Sequence, residues 1–232
     1  MTRTPPPSPD ARLVDANNVL LALSPSSSES VPKFFYGTVV RDPSAGLPDL
    51  SAKTVYLCGD VSRAADLDLS AAARVMVVRG ISHGYDERDD GARWLTVGLG
   101  RVPIVVHGLG VYYRRFFERG SDYFDRVCRE HTFQSLTEST KAEKAHRTGI
   151  YLTPVRPEGA ELHFRLLRCS TNLSGPTENF RASDRHIVDA LNQEAAFIFH
   201  GQAPLNHVLA QVYHNTPADA AKKQAKARIS AH

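Results

Sequence analysis

Cysteine is scarce in this sequence: Cys58, Cys128 and Cys169 are three in 232 residues, odd in number and far apart. That number and spacing fit small buried hydrophobes of a reducing compartment better than a disulfide framework. An apolar run of about twenty residues is also missing, so no membrane-spanning helix is expected. The opening Met1-Thr2-Arg3-Thr4-Pro5-Pro6-Pro7 lacks the apolar core of a secretory signal. An intracellular location, cytoplasmic or nuclear, is the expectation. Charge is nearly balanced, with 28 Lys and Arg against 25 Asp and Glu, a net of +3. This permits an anionic partner but falls short of the clustered excess of a dedicated nucleic-acid domain. Gly-x-Ser-x-Gly, Cys-x-x-Cys and His-Glu-x-x-His do not occur. Their absence argues against a recognisable serine hydrolase, zinc ribbon or zincin.

The 42% of hydrophobic residues suffices for a packed core in one domain with an appended lobe. Residues 1–30 carry four prolines before position 10 and a serine-rich run over 24–30, which predicts a disordered head. Within it, only the patch Val19-Leu20-Leu21-Ala22-Leu23 has the character of a docking segment. Residues 31–117 read as an accessory α/β lobe. The β-branched runs 54–58 and 74–78, each closed by glycine, predict buried strands. The Ala- and Leu-rich stretch 62–73 between them predicts a helix, and 93–97 and 102–107 predict two more strands.

Residues 118–232 form the second part. Ser121 is expected to cap a helix with Phe124, Val127, Cys128 and His131 on one face. Strands are expected over 148–153 and 162–166, the latter alternating apolar Leu162, Phe164 and Leu166 with polar His163 and Arg165. A turn is expected at Ser174-Gly175-Pro176-Thr177. Ser183 is expected to cap a helix carrying Ile187, Val188, Leu191 and Ala195, and 205–213 reads as a final strand. The fold class expected is α+β with an antiparallel sheet in this part.

Most candidate motifs have ordinary explanations. Gly98-x-Gly100 and Gly108-x-Gly110 lack the third glycine of a phosphate loop and read as turns or bulges. His83-Gly84-Tyr85-Asp86-Glu87 has the wrong offset for a strand-borne metal pair and reads as a charged loop tip. His186 and Asp189 have helical i,i+3 spacing, but Ile187 and Val188 between them are expected to take the buried face. Lys222, Lys223, Lys226 and Arg228 lack interleaved aromatics and read as a solvated helical face.

One pattern carries more. Gly110-Val111-Tyr112-Tyr113-Arg114-Arg115-Phe116-Phe117 precedes a helix, then Glu130-His131-Thr132-Phe133-Gln134, then an Arg-Thr-Gly-Ile-Tyr strand at 147–151. A further helix leads to Leu205-Asn206-His207-Val208-Leu209-Ala210-Gln211-Val212-Tyr213, and 229–232 read Ile-Ser-Ala-His. Over about 108–232 this order resembles the AlkB-like branch of the Fe(II)/2-oxoglutarate dioxygenases. Asn206, Leu209 and Tyr213 match that family's Phe-Asn-x-x-Leu-x-Asn-x-Tyr strand, with Gln211 where its second Asn stands. The resemblance implies that Gln211 and Tyr213 bind the oxoglutarate carboxylate and that His232 is the first iron ligand, opening an Ile-x-x-His-x-Asp pattern. It also implies that the Asp of that pattern, a distal His and an oxoglutarate-binding Arg follow His232. Gln134 and the Arg114/Arg115 pair could be lid contacts, but core or surface roles fit them better. The nineteen positions from Tyr213 to His232 exceed the family's usual link.

On this reading the chain holds the start of a double-stranded β-helix (jelly roll), expected to be incomplete. The isolated chain is then expected to bind Fe(II) weakly and to show no turnover. The intact protein would use Fe(II) and 2-oxoglutarate to hydroxylate or dealkylate a nucleic-acid or protein substrate. Two other readings stay open: a non-enzymatic nucleic-acid- or protein-binding module on a related fold, and a hydrolase or transferase in the N-terminal lobe. No membrane partner is expected, and the oligomeric state is not fixed by the sequence.

Overall fold

The computed structural model describes residues 17–88, 91, 93–107, 109–118, 120–135, 146–158, 161–164, 173, 177–199 and 201–214. The chain divides into two compact units, Met1–Ser121 with Gln193–Gln202, and Asp122–Asn192 with Ala203–His232. The break thus falls after 121 rather than after 117, and a segment of the C-terminal half belongs to the first unit. No helix among the described residues is long and apolar enough to cross a membrane. The fold is mixed α/β with a parallel sheet and few helices.

In the first unit, β1 (Asn18–Ala22), β2 (Thr38–Val40), β3 (Thr54–Asp60), β4 (Arg74–His83) and β5 (Leu95–Gly98) form one sheet in the order β2-β1-β3-β4-β5. Every pairing in it is parallel. Both faces are covered, which is why its strands are continuous apolar runs rather than alternating ones. Val19, Leu21, Val55, Leu57 and Val77 pack on one face with Leu50, Leu69 and Trp94. Leu20, Ala22, Tyr56, Cys58, Met76 and Val78 pack on the other with Val97 and Val102. β6 (Ile104–Val106) and β7 (Gly110–Tyr112) add an antiparallel hairpin, in which Gly110 takes φ +127°.

Two expectations fail here. The head predicted over 1–30 contains a strand: Asn18–Ala22 is wholly buried, flanked in the sheet by β2 and β3. Burial of its aliphatic side chains overrides the flanking Pro and Ser, while residues 1–16 lie outside the described residues. The helix predicted over 62–73 is only a 3₁₀ turn at Val61–Asp66. Asp60 accepts from the Ser62 amide and hydroxyl at 3.2 and 2.6 Å, and Asp68 from Ser70 at 3.0 and 2.6 Å. These local bonds bend the backbone into turns that interrupt a longer helix.

The second unit contains α1 (Tyr123–Glu130), β8 (Gln134–Ser135), β9 (His146–Leu152), β10 (Val155–Glu158) and β11 (Glu161–Phe164). It also holds β12 (Val208–His214) and the part of α2 (Ala182–Ile198) up to 192. β12-β9-β8 is an antiparallel sheet, and β10 and β11 pair antiparallel. Ile150, Leu152, Phe180 and Val188 form its core, with Phe133, Val208 and Ala210 against them. α1 differs from its prediction. Its cap position is Asp122, none of its residues is buried, and Phe124 is 68% exposed. Ser183 lies inside α2 rather than at its cap. The turn predicted at 174–177 lies outside the described residues apart from Thr177.

Candidate functional site

β12 separates its side chains by strand alternation. Val208 and Ala210 meet the core, so Leu209, Gln211 and Tyr213 occupy the opposite face, where Tyr213 is 39% exposed. The Tyr213 hydroxyl donates to Gln211 Oε1 at 3.2 Å. Across the sheet Arg147 is paired with Tyr213, Gly149 with Gln211, and Tyr151 with Leu209. Gly149 also pairs with Gln134 of β8, so Gln134, Gly149 and Gln211 run in a row over three strands. A guanidinium, two phenols and two carboxamides therefore share one face, and its described residues on these three strands include no carboxylate. Such a donor set accepts an anionic ligand. At one end His207 stacks on Tyr151, centroids 5.6 Å apart at 19°. Both His207 ring nitrogens are buried without a hydrogen-bond partner. His232 and the basic stretch 222–228 lie outside the described residues. Arg114 and Arg115 are exposed in the first unit.

A second cluster, unforeseen in the sequence, lies where α1 ends and α2 begins. The His131 side chain is fully buried. Its Nε2 is 2.6 Å from Asp184 Oδ2, and its Nδ1 is 3.0 Å from Glu178 Oε2. With a carboxylate on each nitrogen, the ring satisfies both bonds only as an imidazolium donating twice. Burial works against that charge, but the hydrogen bonds to Glu178 and Asp184 and their charges outweigh it, so the His131 pKa is raised. Beside it, Glu130 accepts from Ser183 Oγ at 2.8 Å and from Ser183 N at 3.1 Å. Burial opposes charge on Glu130 as well, and the Ser183 bonds hold its carboxyl below the usual range. Asp184 Oδ2 also accepts from Arg181 N at 2.7 Å, closing the first turn of α2. Ligand atoms of Glu130, His131 and Asp184 all lie within 4.8 Å of one another.

The first unit holds a third cluster. Glu194 is 4% exposed and binds Arg74 through Nη1 and Nη2, each at 2.9 Å. Arg101 Nη2 donates to it at 3.0 Å and the Tyr113 hydroxyl at 2.5 Å. Burial disfavours charge on Glu194, yet these donors hold its carboxyl below the ordinary range. The guanidiniums of Arg74 and Arg101 lie over the rings of Phe197 and Phe116, at 4.0 and 3.7 Å.

The other sequence candidates stay apart from these groups. His186 and Asp189 are exposed, with His186 stacked on Tyr123 at 5.5 Å. His83 closes β4 exposed, and Asp86 Oδ1 accepts from the Arg88 amide at 2.9 Å. In an open parallel sheet of this order, ligands bind outside the strand C-termini where the order reverses, between β1 and β3. Here the chain's own side chains fill that crevice. A Cβ on Gly59 would lie 2.7 Å from Ser24 Oγ and 2.8 Å from Ser27 Oγ, and Arg63 Nη1 donates to Leu23 O at 2.6 Å. Burial pushes the nearby Cys58 thiol up to about 11, the reverse of an activated nucleophile.

No family model, curated protein or solved structure matches the chain.

Proposed function

We propose that this chain is a portion of an AlkB-like Fe(II)/2-oxoglutarate-dependent oxygenase that hydroxylates or dealkylates a nucleic-acid or protein substrate. The observation that carries the reading is the face of the β12-β9-β8 sheet that bears Gln211 and Tyr213, where the Leu173 side chain also lies, 3.4 Å from where a Cβ on Gly149 would stand. Tyr213 and Gln211 lie side by side there, with Arg147 opposite Tyr213 and no side chain on Gly149 opposite Gln211. Two neutral donors and a guanidinium suit one end of a dicarboxylate. Gln211 and Tyr213 bind the oxoglutarate carboxylate in this reading, and His232 is the first iron ligand. The antiparallel strands of the second unit are then the opening strands of a jelly roll.

Iron and oxoglutarate, when bound, supply oxygen activation. The chain's own part is to orient the co-substrate: the Tyr213 hydroxyl turns from Gln211 Oε1 to one carboxylate oxygen, and the Gln211 amide nitrogen reaches the second. Isothermal titration of the 232-residue protein with 2-oxoglutarate tests this. Saturable binding that falls in Tyr213→Phe and Gln211→Leu is expected, with Phe124→Ala, on exposed helix surface, as the unaffected control. Equal binding in wild type and Tyr213→Phe overturns the reading. So does a coding sequence without Asp two positions after His232.

A further inference from the structure

We propose that Glu130, His131 and Asp184 form a binding site for a first-row divalent cation, with zinc the best fit, and that Glu178 orients His131 from behind. This site is separate from the iron proposed at His232 and does not rest on the oxygenase reading.

Charge is the first argument. Three carboxylates, those of Glu130, Glu178 and Asp184, surround a single imidazole, so even a protonated ring leaves two negative charges to be offset by exposed guanidiniums, Arg181 at Glu178 and Arg126 near Glu130. The guanidiniums nearby are peripheral. Arg181 reaches Glu178 only at 3.9 Å and is 56% exposed. Arg126 and Arg129 are 40% and 72% exposed and pair with Asp122. Asp184, at 5%, is among the most deeply buried acids described. Asp184 and the His131 ring are buried while Glu178 is 27% exposed, and a partly buried surplus of this sign favours a cation at its centre.

Geometry is the second argument. The ligand atoms of Glu130, His131 and Asp184 fall within 4.8 Å of one another. Tetrahedral zinc with bonds of about 2.0–2.1 Å spaces its ligand atoms about 3.3 Å apart. The 2.6 Å between His131 Nε2 and Asp184 Oδ2 has to open by less than an ångström, and Glu130 closes on them from within 4.8 Å. The ligands are braced from outside. Ser183 holds both Glu130 oxygens, and each oxygen keeps a lone pair for a metal. The Arg181 amide fixes Asp184.

The arrangement behind the histidine is the third. Metal-bound imidazoles characteristically donate their other N–H to a carboxylate, which sets the tautomer and raises ligand basicity. Glu178 Oε2 stands 3.0 Å from His131 Nδ1 in that position. Binding replaces the Nε2 proton by the metal and releases that proton to water. Three protein ligands leave the fourth tetrahedral position for water. Imidazole disfavours magnesium and calcium, which take oxygen ligands.

The test uses the 232-residue protein stripped with a chelator and titrated with zinc chloride by calorimetry, then with cobalt chloride by visible absorption. One saturable equivalent of zinc and a tetrahedral cobalt spectrum are expected. His131→Gln and Glu130→Gln are expected to abolish both. Glu178→Gln should weaken zinc binding about 10–100-fold while leaving its stoichiometry unchanged. His232→Ala is expected to bind as wild type, which separates this site from the proposed iron. Should His131→Gln fail to fold, Glu130→Gln decides, because its amide oxygen still accepts from Ser183. Absence of saturable zinc binding overturns the proposal, as does wild-type affinity in Glu130→Gln.

Discussion

The two units each bury a polar cluster, and the clusters are near mirror images in charge. In the first, one carboxylate, Glu194, is gripped by two guanidiniums and a phenol. In the second, one imidazole, His131, faces carboxylates on both nitrogens with a third beside it. The surplus in the first is carried by arginine, which keeps its proton and spreads its charge over aromatic faces. That cluster is structural, with Arg101 Nη1 left buried without a hydrogen-bond partner. The surplus in the second is anionic, and its one positive charge is a proton that a metal ion can replace. The difference lies in which partner can exchange.

The largest expected effect breaks the first cluster. Glu194→Ala strands two mostly buried guanidiniums and should lower unfolding free energy by about 3–5 kcal/mol in urea denaturation. A triple variant with Arg74→Met, Arg101→Met and Glu194→Leu sharpens the comparison. It should recover most of that loss, since matched apolar replacements of buried ion pairs are often neutral or better. A triple variant as unstable as Glu194→Ala would show that the charges are needed for more than each other.

Acid titration separates the clusters by sign. The folded-state pKa of Glu194 lies below its unfolded value, so its contribution is present above the ordinary carboxylate range and fades as pH falls through the folded pKa. The groups facing it keep their protonation throughout. Tyr113 and Tyr56 stay neutral with pKa values pushed up, chiefly by burial. Urea midpoints from about pH 6 down to about pH 3 should fall more steeply in wild type than in Glu194→Ala. Parallel slopes would place the charge of Glu194 outside the stability of the first unit.

A smaller loss is expected from His131→Gln in chelator-treated protein. One amide cannot serve two carboxylates as the imidazolium does, and losing a charge-assisted bond costs about 1.5–3 kcal/mol. The smallest effect is Tyr213→Phe. It removes an exposed hydroxyl and should change stability by less than about 0.5 kcal/mol. The same change should weaken oxoglutarate binding about tenfold or more, the worth of one hydrogen bond to a charged group.

What the sequence displayed and what it hid follow from the range of the forces involved. β3 and β4 were legible because a strand buried on both faces must be apolar throughout, as Val55-Tyr56-Leu57-Cys58 is. The alternation at 208–213 showed that Gln211 and Tyr213 share a face. β1 was obscured because prolines and serines frame it, although its own four aliphatic residues are as apolar as those of β3. The stretch 62–73 misled because its composition favours helix while two Asp-x-Ser turns bend the chain locally. The clusters were invisible for another reason. His131 meets Glu178 and Asp184 from 47 and 53 positions away, and Arg74 meets Glu194 from 120. No local pattern announces such pairings. The one local trace is Glu130-His131 at the end of α1, where helical spacing places His131 on the face of Phe124, Val127 and Cys128 and says nothing of its carboxylate partners.

The all-parallel sheet has a consequence for synthesis on the ribosome. β1 is flanked by β2, a three-residue strand, and by β3, whose Tyr56 and Leu57 pair with Leu20 and Leu21. The aliphatic run 19–22 therefore leaves the ribosome long before its main neighbour exists. At about 5–20 residues per second, that interval lasts a few seconds. Through it the nascent chain carries an unsatisfied hydrophobic strand, the kind of segment that holdase chaperones bind and that aggregates when they are scarce.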